Sequence, residues 1–333
     1  MHTKLAELLS DPSIDQVFAL VKSDFETVNQ RIHSDLQSDI PLVVEVAKYI
    51  VGAGGKRLRP LVVLLAAAVC NYSGQDHIKL ATLVEYLHTA TLLHDDVVDV
   101  STRRRGKQTV NVVWGNAPSV LVGDFLYSRA FQLMVDIRSM PMLEIICDAT
   151  NVIAEGEVLQ LQHIGNAELT EAEYLEIIRY KTAMLFQASA HAAGALAGSN
   201  QTTQHALREF GLHLGMAFQL IDDWLDFVGD DVEMGKNVGD DLAEGKATLP
   251  LIHTLQHGDF RNKEIVRQAI LQRSSENLSE VMQAVQTTGS LEYCHKMAQK
   301  HTTLCIESLG SLPPNPFRFG LEALANVTVC RMH

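Results

Sequence analysis

The residues of this chain best suited to chemistry are six aspartates, which form two groups with the common spacing D-D-x-x-D. They are Asp95, Asp96, Asp99, Asp222, Asp223 and Asp226. Each group follows an apolar run, where carboxylates without a partner are costly. On a helix, residues four apart share one face, so the first and last aspartate of each group point the same way. Mg²⁺ binds through one or two carboxylates and completes its shell with water and phosphate oxygens. Two such groups facing each other predict several Mg²⁺ ions around a diphosphate.

The alternative interpretation of such a group is an acidic helix face in contact with solvent. For a single D-D-x-x-D, the two interpretations are about equally good. Here the apolar flanks and the repetition of the same spacing favour the metal site.

Basic residues stand close to the first group and before it. The segment GGKRLRP at residues 54–60 places Lys56 and Arg59 in a glycine-led turn before a helix, and residues 103–107 add Arg104 and Arg105 directly after the aspartates. Helix N-termini, Arg and Lys all favour anions. These segments are either surface ion pairs or a clamp for phosphate groups, and a diphosphate would use the charge of both metal and arginine.

Other polar residues lie beside the second group or on apolar helices. Lys181 and Thr182 belong to an otherwise apolar helix, where a lone Lys is costly unless it is paired. Gln219 precedes the second aspartate group, and Lys236 and Lys246 flank the polar loop that follows it. A histidine such as His88, on the helix of the first group, is as often a packed core residue as a ligand.

Helical periodicity dominates the chain, and no stretch of sustained alternation requires a sheet. The principal predicted helices span residues 40–50, 61–69, 78–98, 117–137, 142–162, 171–198 and 204–228. Thr170 and Glu173 form a capping-box pattern before one of them. No linker or low-complexity stretch divides the sequence. We therefore predict an all-α, single-domain helical bundle, residues 1–333, with a central cavity.

Composition excludes several classes of protein. The chain of 333 residues is 47% hydrophobic and has a formal charge of −13, which argues against nucleic acid as a partner. Its five cysteines are scattered and lack metal spacing, so they are predicted to be reduced thiols of a cytoplasmic protein. We find no signal peptide, and the longest apolar run is too short for an integral membrane segment.

Taken together, these motifs resemble those of the trans-isoprenyl diphosphate synthases, and within that family the bacterial long-chain polyprenyl synthases. The resemblance extends from Lys56 to the last helix. The motifs are GGKRLRP (54–60), LLHDDVVDVSTRRRGKQTVN (92–111), AEGEVLQL (154–161), KTAMLF (181–186), FQLIDDWLDF (218–227) and GKNVGDDLAEGKATLP (235–250).

The resemblance implies a homodimer that extends an allylic diphosphate by repeated addition of isopentenyl diphosphate. The six aspartates would hold Mg²⁺ on the allylic diphosphate. The resemblance further assigns Arg104, Lys181, Thr182, Gln219 and Lys236 to the allylic diphosphate, and Lys56, Arg59, His88 and Arg105 to isopentenyl diphosphate. Lys246 would help to close the site.

Chain length in this family depends on side chains one helical turn before the first aspartate group. Here these residues are Ala90 and Thr91, which are small, so the tunnel is expected to stay open beyond C20. Candidates for its floor are Phe131 and Met134, which are equally good as core residues. We predict a product near C40, such as quinone side chains require.

Two other functions share part of this set of motifs. A class I terpene cyclase also ionises an allylic diphosphate with Mg²⁺, but its second metal motif usually differs from D-D-x-x-D. A regulatory subunit of a heteromeric synthase generally lacks one aspartate group, whereas this chain has both. The prenyl-elongating enzyme is the better interpretation.

Overall fold

The computed structural model describes residues 13–228, 239–274 and 276–329, and this part of the chain is helical almost throughout. The helices are α1 (Ile14–Leu20), α2 (Lys22–Ser34), α3 (Pro41–Val51), α4 (Leu58–Val69), α5 (Asp76–Val98), α6 (Val110–Trp114), α7 (Asn116–Ile137), α8 (Met140–Gln162), α9 (Glu171–Ile178), α10 (Met184–Leu196), α11 (Gln201–Val228), α12 (Asp240–Ala243), α13 (Leu249–His257), α14 (Phe260–Gln272), α15 (Leu278–Thr287), α16 (Ser290–Ser308) and α17 (Pro316–Val329). A π-helical segment (Arg179–Ala183) separates α9 from α10. The predicted all-α fold is confirmed.

The helices at the centre of the bundle are apolar around most of their circumference. Helix α4 and the first four turns of α5 are buried almost completely. Helix α11 supplies Phe210 and Leu214 to the larger hydrophobic cluster, which contains α4 and α5, and Leu220 and Ile221 to a second cluster formed with the C-terminal helices. A helix apolar on all sides must lie inside a bundle. These contacts hold α5 at the centre of the bundle and place α11 between its two hydrophobic clusters.

A short antiparallel hairpin is the exception to the helical pattern. Strands β1 (Arg103–Arg104) and β2 (Lys107–Gln108) pair Arg104 with Lys107 across a two-residue turn. The turn residues, Arg105 and Gly106, both have positive φ, as a type I′ hairpin turn requires. No alternating pattern announces these strands, because each has only two residues.

The helix predicted over residues 171–198 is instead interrupted by the π-helical segment. The N-terminal capping box is confirmed, since Thr170 Oγ1 accepts from the Glu173 amide at 3.3 Å and the Glu173 carboxylate accepts from the Thr170 amide. The interruption lies where two glycines allow close packing. A Cβ on Gly156 would stand 2.9 Å from the backbone nitrogen of Lys181, and one on Gly215 would stand 2.9 Å from the Ala183 Cβ. Neighbouring helices thus hold the segment tightly on two sides.

None of the helices in the described residues is both long enough and apolar enough to cross a membrane.

Candidate active site

A cavity of about 580 Å³ opens between α5, the hairpin, α8, the π-helical segment, α11 and the segment around α12. Most of the predicted site residues line it: Arg59, His88, Thr91, Asp95, Asp99, Arg104, Arg105, Lys181, Thr182, Gln219, Asp222, Asp223 and Lys246. The structure does not bring the other described ones, Lys56, Ala90, Asp96, Phe131, Met134 and Asp226, to its wall. Lys236 lies outside the described residues.

The first aspartate group divides between the cavity and the protein interior. Asp95 and Asp99 face the cavity, whereas Asp96 is fully buried. One oxygen of Asp96, Oδ1, accepts hydrogen bonds from Arg104 Nε at 2.8 Å and from Nη2 at 2.7 Å. Burial raises the pKa of Asp96, although Arg104 opposes the shift. The middle aspartate thus fastens the hairpin to α5.

The end of α5 positions Asp99 through a strained residue. Val100 has φ of 55°, and the Ser101 amide donates to the Asp96 carbonyl at 3.0 Å. This is the Schellman arrangement that terminates helices, with Val100 where glycine is usual. A β-branched residue in the left-handed region is a steric outlier, and such strain persists only where the surroundings impose it.

We expect Val100→Gly to stabilise the protein by roughly 1 kcal/mol, because glycine has no Cβ to clash in the left-handed region. The measurement is the midpoint of thermal unfolding without ligands. The matched control is Val98→Gly, another exposed valine two residues earlier but inside α5, where glycine should lower the midpoint. A lower midpoint for Val100→Gly would contradict the assignment of strain.

The second aspartate group is embedded in a hydrogen-bond chain. Asp223 Oδ1 accepts from Gln219 Nε2 at 2.7 Å, and its Oδ2 accepts from the Tyr174 hydroxyl. Gln219 Oε1 in turn accepts from Thr182 Oγ1 at 2.7 Å. The chain joins α9, the π-helical segment and α11. Asp222 and Asp223 line the cavity, while Asp226 is buried behind them.

Two lysines reach the first aspartate group from different elements. Lys181 Nζ lies 3.7 Å from Asp95 Oδ2, and it donates to Glu157 Oε2 at 2.6 Å and to Gln160 Oε1 at 2.7 Å. Lys246 Nζ lies 2.8 Å from Asp99 Oδ2. The cavity therefore presents ammonium groups beside the carboxylates, as binding of an anion together with a metal requires.

Of the two basic residues predicted for the turn before α4, Arg59 reaches the cavity, and it does so from the first turn of α4 itself. The Arg59 guanidinium stands 4.3 Å from the centroid of the Phe186 ring. Burial lowers the pKa of Arg59 to about 10, although Glu85 opposes the shift, so the side chain remains charged at neutral pH. Burial and then Arg59 lower the pKa of His88 well below its usual value, so His88 is neutral. Lys56 is exposed and lies at a different, small pocket.

The hairpin is linked to this turn by Arg105, whose Nη1 donates to the Gly54 carbonyl. Gly55 has φ of 132°, and a Cβ there would collide with the Arg105 guanidinium. Arg59, His88 and Arg105 thus lie close together at the cavity, and Lys181 and Lys246 lie beside Asp95 and Asp99. The cavity therefore contains two groups of basic side chains, one with Arg59 and Arg105 and one with Lys181 and Lys246.

The four predicted chain-length residues lie in different environments. Thr91 faces the cavity, whereas Ala90 is fully buried in the core. Met134 is also buried, and Phe131, at 45% exposure, lies on the outer side of α7. Of these four positions, Thr91 is the one that lines the cavity.

The carboxylates of both groups suit a hard divalent cation, because the donors on the cavity wall are oxygens. Within the described residues, no three His, Cys, Asp or Glu side chains converge into a complete metal site. Such an arrangement fits Mg²⁺, which takes few protein ligands and relies on water and substrate phosphate for the rest. Asp95, Asp99, Asp222 and Asp223 are the side chains available to it.

Two buried carboxyl groups predict a dependence of stability on pH. Burial and nearby acids raise the pKa of Glu157 and of Asp223 to about 7, with Asp95 the main acid beside Glu157 and Asp241 beside Asp223. Because the pKa of both carboxyl groups is higher in the folded protein, folding takes up protons at pH values between the unfolded and the folded pKa. This proton uptake stabilises the folded protein, and the stabilisation is lost as pH rises through about 7.

Without divalent metal, we therefore expect the contribution of these groups to the free energy of unfolding to fall from pH 5.5 to pH 7.5. Urea denaturation at both pH values measures it. Glu157→Gln should flatten the decline, because an amide does not titrate. A decline of equal size in the variant would contradict the assignment.

Several cavity residues were missed from the sequence. Tyr174, Glu157, Gln160 and Glu244 line the cavity and bind the predicted side chains, yet none was assigned a role. Glu157 and Gln160 lie within the AEGEVLQL motif, which was a usable signal. Glu244 likewise lies within the GKNVGDDLAEGKATLP motif, two residues before its partner Lys246. Tyr174 had no such signal, since its partner Asp223 is 49 residues away in the sequence.

Comparisons with known proteins identify the family of this chain. The family model described as polyprenyl synthetase matches residues 40–288. The chain is 46% identical to the octaprenyl diphosphate synthase of Escherichia coli over 320 residues, which cover 96% of this chain and 99% of that protein. It is 45% identical to the geranyl-diphosphate-specific all-trans-nonaprenyl-diphosphate synthase of Rhodobacter capsulatus over 313 residues, covering 94% and 95%.

A solved structure is also similar over nearly its full length. It is the crystal structure of a polyprenyl synthase from Caulobacter crescentus complexed with calcium and isoprenyl diphosphate. Its TM-score is 0.93 at 44% identity, with 96% of this chain and 98% of that chain covered. The family inferred from the motifs is confirmed: the chain belongs to the polyprenyl synthetase family.

Proposed function

We propose that this protein extends an allylic diphosphate with successive isopentenyl diphosphate units to an all-trans polyprenyl diphosphate near C40, in a reaction that depends on Mg²⁺. Farnesyl diphosphate is the proposed primer, and quinone side chains are the proposed use of the product. The observation that carries the proposal is one cavity lined by carboxylates of both aspartate groups and by two groups of basic side chains.

In this proposal, the two groups of basic side chains bind two different diphosphates. Arg104, Lys181, Thr182, Gln219 and, outside the described residues, Lys236 would bind the allylic diphosphate, with Lys246 closing over it. Arg59, His88, Arg105 and Lys56 would bind isopentenyl diphosphate. Lys56 does not reach the cavity wall here, so its proposed role requires a rearrangement of the exposed turn.

The reaction begins with cleavage of the allylic carbon–oxygen bond, in which the diphosphate leaves with the electron pair. When bound to the aspartates, Mg²⁺ supplies positive charge that stabilises this departing group. Lys181 and Arg104 add fixed positive charge in the same place. The double bond of isopentenyl diphosphate, held by Arg59 and Arg105, attacks the allylic carbocation. Loss of a proton to the released diphosphate restores an allylic product.

The relatives support a long product and a divalent metal. The two relatives described above are named for octaprenyl and nonaprenyl products, and the related crystal structure contains calcium. Neither a terpene cyclase nor a regulatory subunit is favoured, because the similarity to these synthases covers nearly the whole chain and both aspartate groups are present.

The proposal also includes a homodimer in the cytoplasm. Helix α7 exposes Leu121, Phe131 and Val135, and α8 exposes Val158 and Leu161. Large apolar side chains exposed on the outside of a bundle are typical of a protein interface when they form one patch. Sedimentation at micromolar concentration should give twice the chain mass of 36.8 kDa. A single-chain mass would overturn this part of the proposal.

Product analysis tests the reaction itself. Purified protein is incubated with Mg²⁺, farnesyl diphosphate and labelled isopentenyl diphosphate, and the dephosphorylated products are sized by chromatography. We expect a ladder that ends near C40 and disappears with EDTA. A ladder that stops at C15 or C20 would overturn the proposed length, and the absence of any product would overturn the reaction.

Thr91→Phe is expected to shorten the product to C20 or less, because Thr91 faces the cavity and a ring there would block the growing tail. The same chromatography measures it. Thr91→Ser is the control and should keep the wild-type length. Ala90→Phe should instead destabilise the protein by about 1–3 kcal/mol, since Ala90 is packed in the core. An unchanged ladder in Thr91→Phe would contradict the open-tunnel prediction.

A further inference from the structure

Each of the two cavity lysines is shared between an aspartate of the first group and a glutamate outside both groups. Lys181 Nζ lies 2.6 Å from Glu157 Oε2 and 3.7 Å from Asp95 Oδ2. Lys246 Nζ lies 2.5 Å from Glu244 Oε2 and 2.8 Å from Asp99 Oδ2. The two glutamates come from unrelated elements, α8 and the segment after α12, yet they make the same kind of bridge.

All of these side chains are largely shielded from water. The Lys181 and Glu157 side chains are 18% and 29% exposed, and those of Lys246 and Glu244 are 14% and 22% exposed. At such burial, an ammonium group that loses its carboxylate partner is strongly destabilised. Each lysine must therefore keep at least one carboxylate.

Asp95 and Asp99 are also the carboxylates of the first group that face the cavity, where a divalent cation would bind. An ammonium group and a metal ion compete for the same oxygen and repel each other. If the aspartate were the only partner, metal binding would require breaking its ion pair with the lysine. The glutamate removes this conflict, because the lysine already has a second partner.

We propose that Glu157 and Glu244 are positioning residues that hold Lys181 and Lys246 on the cavity wall and release Asp95 and Asp99 for the metal. This inference rests on the proposed function only in taking these aspartates as metal ligands. Gln160 assists at Lys181, to which its Oε1 accepts a hydrogen bond at 2.7 Å.

Without the glutamate, the lysine should form its ion pair with the aspartate alone. In Glu157→Gln, Lys181 keeps Asp95 as its one carboxylate partner among those named, so Mg²⁺ must displace it. We expect Mg²⁺ to bind Glu157→Gln at least fivefold more weakly than the wild type. Glu157→Asp should recover part of the loss, since it keeps the charge.

A double-mutant cycle separates this mechanism from a simple loss of negative charge. Mg²⁺ binding in the presence of inorganic diphosphate is measured by calorimetry for the wild type, Glu157→Gln, Lys181→Gln and the double variant. If Glu157 acts through Lys181, the glutamate substitution should change affinity less than twofold when Lys181 is already Gln. Equal effects in both backgrounds would overturn the proposal.

The same cycle with Glu244→Gln and Lys246→Gln tests the second bridge, where Asp241 is a further acid close to Lys246. Glu155→Gln is the matched control on α8, because Glu155 is exposed and contacts Asn151 instead of a lysine. Its Mg²⁺ affinity should equal that of the wild type. Thermal unfolding of each variant confirms that the folded protein is being titrated.

Calorimetry and product analysis test the positioning role and the proposed function separately. Calorimetry requires no turnover, so coupling between glutamate and lysine is measurable even if the wild type forms no polyprenyl product. That result would overturn the function and support the positioning role. Product formation with additive effects in the cycle would support the function and overturn the positioning role.

Discussion

Asp95→Asn should reduce the rate of chain elongation by about 10²–10³-fold while leaving the fold intact, because it removes a carboxylate that faces the cavity. Its contact with Lys181 is long, at 3.7 Å, and Lys181 keeps Glu157, so the loss of this contact costs little stability. The measurements are incorporation of labelled isopentenyl diphosphate and the midpoint of thermal unfolding.

Replacement of the neighbouring Asp96 should instead mainly reduce stability. Asp96 is fully buried against Arg104, and removing one member of a buried ion pair costs about 3–5 kcal/mol. We expect Asp96→Asn to unfold at a markedly lower temperature than Asp95→Asn. Asp148→Asn, on the exposed side of α8, is the control for both measurements. If Asp95→Asn retained more than a tenth of the wild-type rate, its assignment as a ligand would be wrong.

Gly215→Ala should lower the free energy of unfolding by about 2–3 kcal/mol, which is an overpacking effect in a dense core. An added Cβ would overlap the Ala183 backbone, which α11 contacts at this point, and it would push against the π-helical segment. Because Lys181 and Thr182 belong to that segment, the rate of elongation should fall as well.

Urea denaturation and the incorporation assay measure the two effects of Gly215→Ala. The control is Gly310→Ala, where an added Cβ would meet no atom within 4 Å and φ is not positive. That variant should unfold like the wild type. A wild-type midpoint for Gly215→Ala would show that the helices can separate at no cost, contrary to the packing described.

Much of the fold followed from local patterns. Hydrophobic periodicity predicted the helices, and the spacing of Thr170 and Glu173 predicted a cap that the structure contains. These features depend on neighbouring residues, so a single sequence suffices. Local periodicity likewise placed both aspartate groups on helices.

Features that depend on distant contacts were not predictable. The interruption of the helix at Arg179–Ala183 arises where Gly156 and Gly215 bring other helices close, and nothing within the segment signals it. Likewise, the opposite orientations of Asp95 and Asp96 depend on Arg104, eight residues beyond Asp96 in a hairpin too short to show a strand pattern.

The burial of Asp96 changes what the motif D-D-x-x-D means when it is searched for in other chains. In the first group, this five-residue pattern combines a requirement of architecture, the middle aspartate that holds the hairpin, with a requirement of chemistry at the two outer positions. A homologue could lose the outer aspartates and still fold, with its hairpin attached and its Arg104 equivalent satisfied. Scoring the outer positions separately from the middle one would therefore distinguish inactive members of an assembly from active ones better than the motif as a whole.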